Sequence, residues 1–194
     1  MIYLKALVLF LLTASVGMAD ELLDQIQARL TRSAITRGAF EQTKQLKVLR
    51  KPLVSNGTFI YDKSRGIAWK TLSPVPSLLL ISDTRLWTAQ GEQPVPAAFG
   101  KVFQAMLGAD LAQLAAAFEI TGAVRKTSWQ VSLVPRDEML KKVISRMQLS
   151  GDHELRLLEI FETNGNSSTL RFQNISHPDR LAVGEEADFA HLSP

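Results

Sequence analysis

Gly57–Pro74, GTFIYDKSRGIAWKTLSP, reads as a strand, a tight polar turn and a second strand. Successive strand side chains alternate between faces, so Phe59 and Tyr61 share one side of the first arm. Ile67 and Trp69 share one side of the second. Asp62 to Gly66 supplies the polar residues and the glycine of a turn. Such a hairpin belongs to an antiparallel sheet with one strongly apolar face, and the fold depends on what covers that face.

Working outward, the alternation predicts strands at about 36–43, 54–61, 67–71 and 77–82, with Ser73-Pro74-Val75-Pro76 as a break. DTRLWTAQGEQ then reads as a turn and one strand ending at Gly91. Upstream, Leu22, Leu23, Ile26 and Leu30 recur at helical spacing over residues 20–31. Downstream, PAAFGKVFQAMLG places Phe99, Val102, Phe103, Met106 and Leu107 on one helical stripe that stops at Gly108. Asp110 is an N-cap candidate for a second short helix. Five short strand-like segments follow, with Asn164-Gly165 as a hairpin turn. RDEMLK reads as a separator between two of them, and the tail after His177 as turns with one last edge segment. A helix, about five strands, two helices and about five strands make an α+β plan. A sheet of about ten strands tends to curl, and curling around three helices gives an open, barrel-like shape.

The chain has 194 residues, 46% of them apolar, which fits one domain behind a leader. Lys5, the short apolar block ALVLFLL and the small residues Gly17 and Ala19 predict a secretory signal over residues 1–19, cleaved after Ala19. A single domain then spans 20–194. Cysteine is absent, so the fold rests on its core without disulfides. Asp20 stands where a bacterial lipoprotein would carry its lipidated Cys, so the expected mature form is soluble. A net charge of +3 is too small for a nucleic-acid binder.

No catalytic constellation stands out. His153, His177 and His191 fall in late turns or the tail, without the ligand spacing of a metal site. There is no nucleophile elbow and no phosphate-binding glycine loop. Asp137-Glu138 reads as solvated surface. Neither an enzyme nor a cofactor is expected. The apolar residues are more informative. Phe59, Trp69, Leu79, Ile81, Trp87, Phe103, Met106 and Leu107 fall in segments that should face one another. Singly each reads as ordinary core. Together, on a curled sheet crossed by a Met-containing helix, they read as a lipid-sized pocket.

Three stretches carry a resemblance. GAFEQT in the first strand, the Gly57–Pro74 segment with Trp69, and LLLISDTRLW are similar in order and spacing to the periplasmic outer-membrane lipoprotein carrier family, LolA. The resemblance implies an incomplete, strongly curled antiparallel β-barrel with about three helices as a lid over a hydrophobic cavity. It implies a cavity lined by Phe40, Phe59, Tyr61, Ile67, Trp69, Leu79, Ile81, Trp87, Phe103, Met106 and Leu107. It also implies a monomeric shuttle in the periplasm of a Gram-negative bacterium. Such a shuttle takes acylated lipoprotein, or a related glycolipid, from an inner-membrane exporter to an outer-membrane acceptor. The family's Arg-Pro lid latch is replaced by Lys63-Ser64, with Arg65 two residues on, so Lys63 and Arg65 are the latch candidates. The competing reading is a lipid- or protein-binding sensor module on the same open barrel, with a filled interior and a functional rim.

Overall fold

The computed structural model describes residues 14–82, 85–94 and 97–190, and in it the opening stretch is a hairpin. β2 (Leu53–Asp62) pairs antiparallel with β3 (Gly66–Ser73), with Phe59 opposite Trp69 and Tyr61 opposite Ile67. All four side chains therefore leave the same face. The turn is fixed by Asp62, whose Oδ1 accepts from the backbone N–H and hydroxyl of Ser64 at 2.8 and 2.6 Å.

The other strands before the helical insert are β1 (Ile35–Gln45), β4 (Ser77–Ile81), β5 (Arg85–Thr88) and β6 (Gly91–Pro94). After it come β7 (Phe118–Val124), β8 (Trp129–Pro135), β9 (Ile144–Gly151), β10 (Leu155–Glu162) and β11 (Ser167–Ser176). The helices are α1 (Ala14–Gln27), α2 (Ala97–Leu107), α3 (Leu111–Ala117), α4 (Glu138–Lys141) and α5 (Val183–Asp188). The described strands form one antiparallel sheet in the order β6-β5-β4-β3-β2-β1-β11-β10-β9-β8-β7. It is two meanders joined at the β1–β11 pair. Its edge strands, β6 and β7, do not pair with each other, so the sheet stays open. α2 and α3 are the connection between those edges.

Three expectations change. The segment after Ser82 gives two strands, because Thr88 pairs with Gly91 and its Oγ1 accepts from Gln90 N–H at 3.2 Å, folding the chain back on itself. RDEMLK contains a helical turn, α4. Asp137 caps it by accepting from Met139 and Leu140 N–H, while Glu138 pairs with Lys141 at 2.7 Å. The tail carries a helix, α5, where turns and an edge segment were expected. The expected leader falls mostly on residues 1–13, outside the described residues, and α1 runs across Ala19.

The tail helix answers a packing demand on the outer face. Ile60, Ala68 and Leu80 leave the sheet opposite to Phe59 and Trp69, and they are buried by Leu181 and Phe189. Ion pairs fasten the segment at its edges. Lys70 Nζ donates to Asp188 at 2.7 Å, and Arg37 Nη1 to Glu185 at 3.0 Å. Burial pushes the Glu185 carboxyl up. The Ala182 N–H and the Arg37 guanidinium more than offset this and hold it below the ordinary glutamate value. A carboxylate depressed in the fold adds stability above its unfolded pKa and loses it as pH falls through the folded one. Acidification is therefore expected to release α5 before the sheet melts. In an NMR titration, the Phe189 ring signals should lose dispersion below the usual glutamate range, at a higher pH in Arg37→Met than in the wild type. Coincident loss of all signals in both proteins would show that α5 is not separately docked.

Candidate functional site: the apolar inner face

Register fixes which residues share the inner face. From Phe59 and Trp69 it extends through Leu79 and Ile81 on β4, which pair with Trp69 and Ile67. In the other direction Phe40 pairs with Gly57 on one side and Phe172 on the other. Beyond β11 the face continues through Leu170, Leu158, Leu149 and Val131.

The centre of this face is aromatic. Phe40 and Trp69 stack with centroids 3.9 Å apart, although the strand between them is β2. Gly57 makes this possible. A Cβ there would collide with the Lys70 carbonyl and come within 2.9 Å of the Phe40 ring. Phe59 stands 6.1 Å from Trp69 and meets Phe172 edge-on at 5.4 Å. Offset and edge-on contacts of this kind suit the ring quadrupoles.

Helices cover the face. Leu23 and Ile26 of α1, Val102, Ala105 and Met106 of α2, and Leu111 and Leu114 of α3 join the same cluster as Phe40 and Phe59. Phe103 and Leu107 pack against Tyr61, Ile67 and Ile81. Tyr61 abuts the end of α2 closely, since a Cβ on Gly108 would lie 2.5 Å from its hydroxyl. Gln27 ties the helices together. Its Nε2 donates to the Ala109 carbonyl at 2.6 Å, and its Oε1 accepts from Leu111 N–H at 3.2 Å. Gln104 Nε2, on α2, is buried with no partner among the described residues.

Ten of the eleven expected lining residues therefore meet on one face: Phe40, Phe59, Tyr61, Ile67, Trp69, Leu79, Ile81, Phe103, Met106 and Leu107. Trp87 does not. It pairs with Leu80 and packs against the outer cluster, and its neighbour Leu86, opposite Ile81, takes the inner position. Adjacent strand residues cannot both face inward. The latch candidates are also placed elsewhere. Lys63 is exposed, and Arg65 lies 3.8 Å from Asp62 and 6.0 Å from the ring of Phe189, on the outer side. The helix fastening is Gln27, which periodicity alone marks only as a polar position. Phe172 was missed because the late strands carry no distinctive motif.

Among the described residues the inner face is closely packed around Phe40, Phe59 and Phe172, while Trp69, Leu79, Phe103 and Leu107 keep part of their surface exposed. Under α2 a space of about 20 Å³ lies among Phe59, Met106, Leu107, Phe172, Ile175 and Leu30, enough for one water. A larger open groove of about 670 Å³ lies at the β7–β9 end, with Arg125, Gln130, Ser132, Asp152 and Arg156 on its walls. Its walls also include apolar groups, Ala123, Trp129 and Val131, so the lining is mixed. The described histidines are engaged in the fold: His177 bridges Glu154 at 2.8 Å and Thr36 at 3.2 Å, and His153 meets the Arg29 carbonyl at 3.2 Å. Among the described residues no group of three or more His, Cys, Asp or Glu gathers as a metal site would. Nor is any helix there long and apolar enough to cross a membrane.

No curated protein matches the chain. Solved structures resemble it at low identity. A Vibrio parahaemolyticus domain described as an outer membrane lipoprotein-sorting protein has TM-score 0.50 at 11% identity, covering 90% of this chain and 97% of its own. A DUF1329 family protein from Desulfovibrio piger has TM-score 0.52 at 10% identity, covering 93% and 100%. A LolA superfamily protein from Nitrosomonas europaea has TM-score 0.45 at 9% identity, covering 84% and 94%. The family described as outer membrane lipoprotein carrier protein LolA matches residues 32–184, a span that runs from just before β1 into α5 and includes the whole helix-covered sheet. The chain thus belongs to the LolA family, whose members are carrier and binding proteins.

Proposed function

We propose that this chain is a soluble periplasmic carrier that holds the acyl chains of a lipoprotein or related lipid against the inner face and passes them from an inner-membrane exporter to an outer-membrane acceptor. One observation carries the reading. The aromatic centre, Phe40, Phe59 and Trp69, is roofed by α1, α2 and α3 through side-chain packing, and the strand pairing of the sheet includes none of these helices. Such a roof can lift without breaking a strand pair. Helices α1 to α3 are the lid, and their close packing around Phe59 is its closed state. An acyl chain gains about 0.8 kcal/mol per buried CH₂, and the cost of opening lowers the apparent affinity so that cargo can leave.

The test compares two tryptophans on opposite faces, using displacement of a fluorescent fatty-acyl probe. Trp69→Ala should weaken binding about tenfold, the effect of losing part of a large apolar contact. Trp87→Ala should stay within about twofold. Equal effects, or undiminished binding in Trp69→Ala, would remove the inner face from the mechanism.

The close packing around Phe40, Phe59 and Phe172 also supports a second reading, a binding or sensor module that works through its exterior. Native mass spectrometry of the protein isolated from periplasm separates the two. Co-purified lipid speaks for the carrier, and a persistently lipid-free protein that takes up no probe speaks for the module.

A further inference from the structure

Among the described residues ten large apolar side chains are exposed, and nine of them lie at one end of the sheet. Val48, Leu49, Leu53 and Val54 belong to the β1–β2 turn and its exit. Leu72 and Val75 flank the β3–β4 turn, and Val134, Met139 and Val143 flank α4 between β8 and β9. Antiparallel topology puts these connections at the same end, together with the β10–β11 turn. The tips also touch. Lys47 N–H donates to Asn166 Oδ1 at 3.0 Å, and Thr163 donates to the Val143 and Lys141 carbonyls at 3.0 and 2.9 Å. They form one continuous rim.

The rim is basic as well as apolar. Residues 44–54, 134–146 and 161–166 hold eight Lys or Arg and three Asp or Glu, in a chain of net charge +3. The acids are occupied within the rim. Glu162 is held by Lys44, Asn164 and Asn166, Glu138 by Lys141, and Asp137 by the α4 N–H groups. Lys47, Arg50, Lys51, Lys142 and Arg146 have no carboxylate at ion-pair distance among the described residues.

We infer that this rim docks the protein on an anionic lipid bilayer surface. Aliphatic tips between unpaired cations match an interface with negative headgroups outside and hydrocarbon just beneath. Five of the nine apolar groups stand on the connections and four at the strand ends beside them, an arrangement in which a deformable plane meets several at once. The rim is separate from the inner face and does not depend on that face taking acyl chains.

Flotation of the full-length mature protein with vesicles tests this. Binding is expected to vesicles containing phosphatidylglycerol, to be absent with phosphatidylcholine alone, and to fall with salt. The triple variant Lys47→Glu, Arg50→Glu, Lys51→Glu should lose about a hundredfold in partition. Val48→Ser with Leu49→Ser should lose about tenfold while keeping the charge. All five side chains are exposed, so thermal melts should match the wild type. Equal binding to both vesicle types, no binding to either, or a charge reversal without effect would overturn the inference. So would rim-dependent capture of an acidic protein by a chain that ignores vesicles. Acyl-probe binding by the triple variant should be unchanged, which separates failure of the rim from failure of the carrier reading.

Discussion

Gln27→Ala is expected to strengthen apparent binding of a fluorescent acyl probe by about tenfold while lowering thermal stability. Both contacts of this side chain join α1 to the junction of α2 and α3, through the Ala109 carbonyl and the Leu111 N–H. Neither reaches the sheet. Each such bond contributes about 0.5–1.5 kcal/mol net, so losing the pair makes the closed arrangement easier to leave. If the closed state blocks the site, its cost is a tax on affinity that the mutation reduces. Gln104 Nε2, buried without a partner among the described residues, already weighs against the closed packing. Gln25→Ala is the control, since Gln25 is exposed and donates to Glu21 on its own helix. The two effects must have opposite sign. A Gln27→Ala protein that is less stable and binds the probe no better would mean that the helices are a fixed part of the core.

The position of this fastening shows what the sequence could and could not reveal. The inner face was legible because strand alternation and one helical stripe each select a face locally, and the register of β2 with β3 and β4 preserved that selection. Trp87 was misplaced because its side was inferred from size, while alternation against Leu80 decides it. The role of α5 was hidden because it depends on a demand created elsewhere, the burial of Ile60, Ala68 and Leu80 on the outer face. The same demand draws Arg65 toward Phe189 and away from the lid. Gln27 meets its partners 82 and 84 residues away, a separation at which no periodicity carries information. The rim was invisible for a related reason: its turns are scattered along the chain and only the antiparallel topology collects them.

Phe59→Ala and Ile60→Ala should destabilise the protein to a similar degree but respond differently to an acyl ligand. Phe59 is 1% exposed and Ile60 7%, and truncations of buried side chains this large cost about 3–5 and 2–5 kcal/mol respectively. In a domain of this size each kcal/mol lowers Tm by about 2–4 °C, so both losses are measurable. Ile60 faces Leu181 and Phe189, and its void opens beneath the tail helix. Phe59 faces inward beside the space of about 20 Å³ bounded by Met106, Leu107 and Phe172, so its truncation enlarges that space. A ligand that binds only the folded state stabilises it by about 2.7 kcal/mol at a hundredfold excess over Kd. If acyl chains occupy the inner face, a saturating probe should raise the Tm of Phe59→Ala by more than it raises that of the wild type, because the new void adds apolar room to the site. Ile60→Ala should gain only what the wild type gains. Two neighbouring residues on opposite faces of one strand thus divide the carrier reading from a general loosening of the core. An equal shift in both variants would assign the probe's effect to nonspecific binding and leave the inner face as structural core.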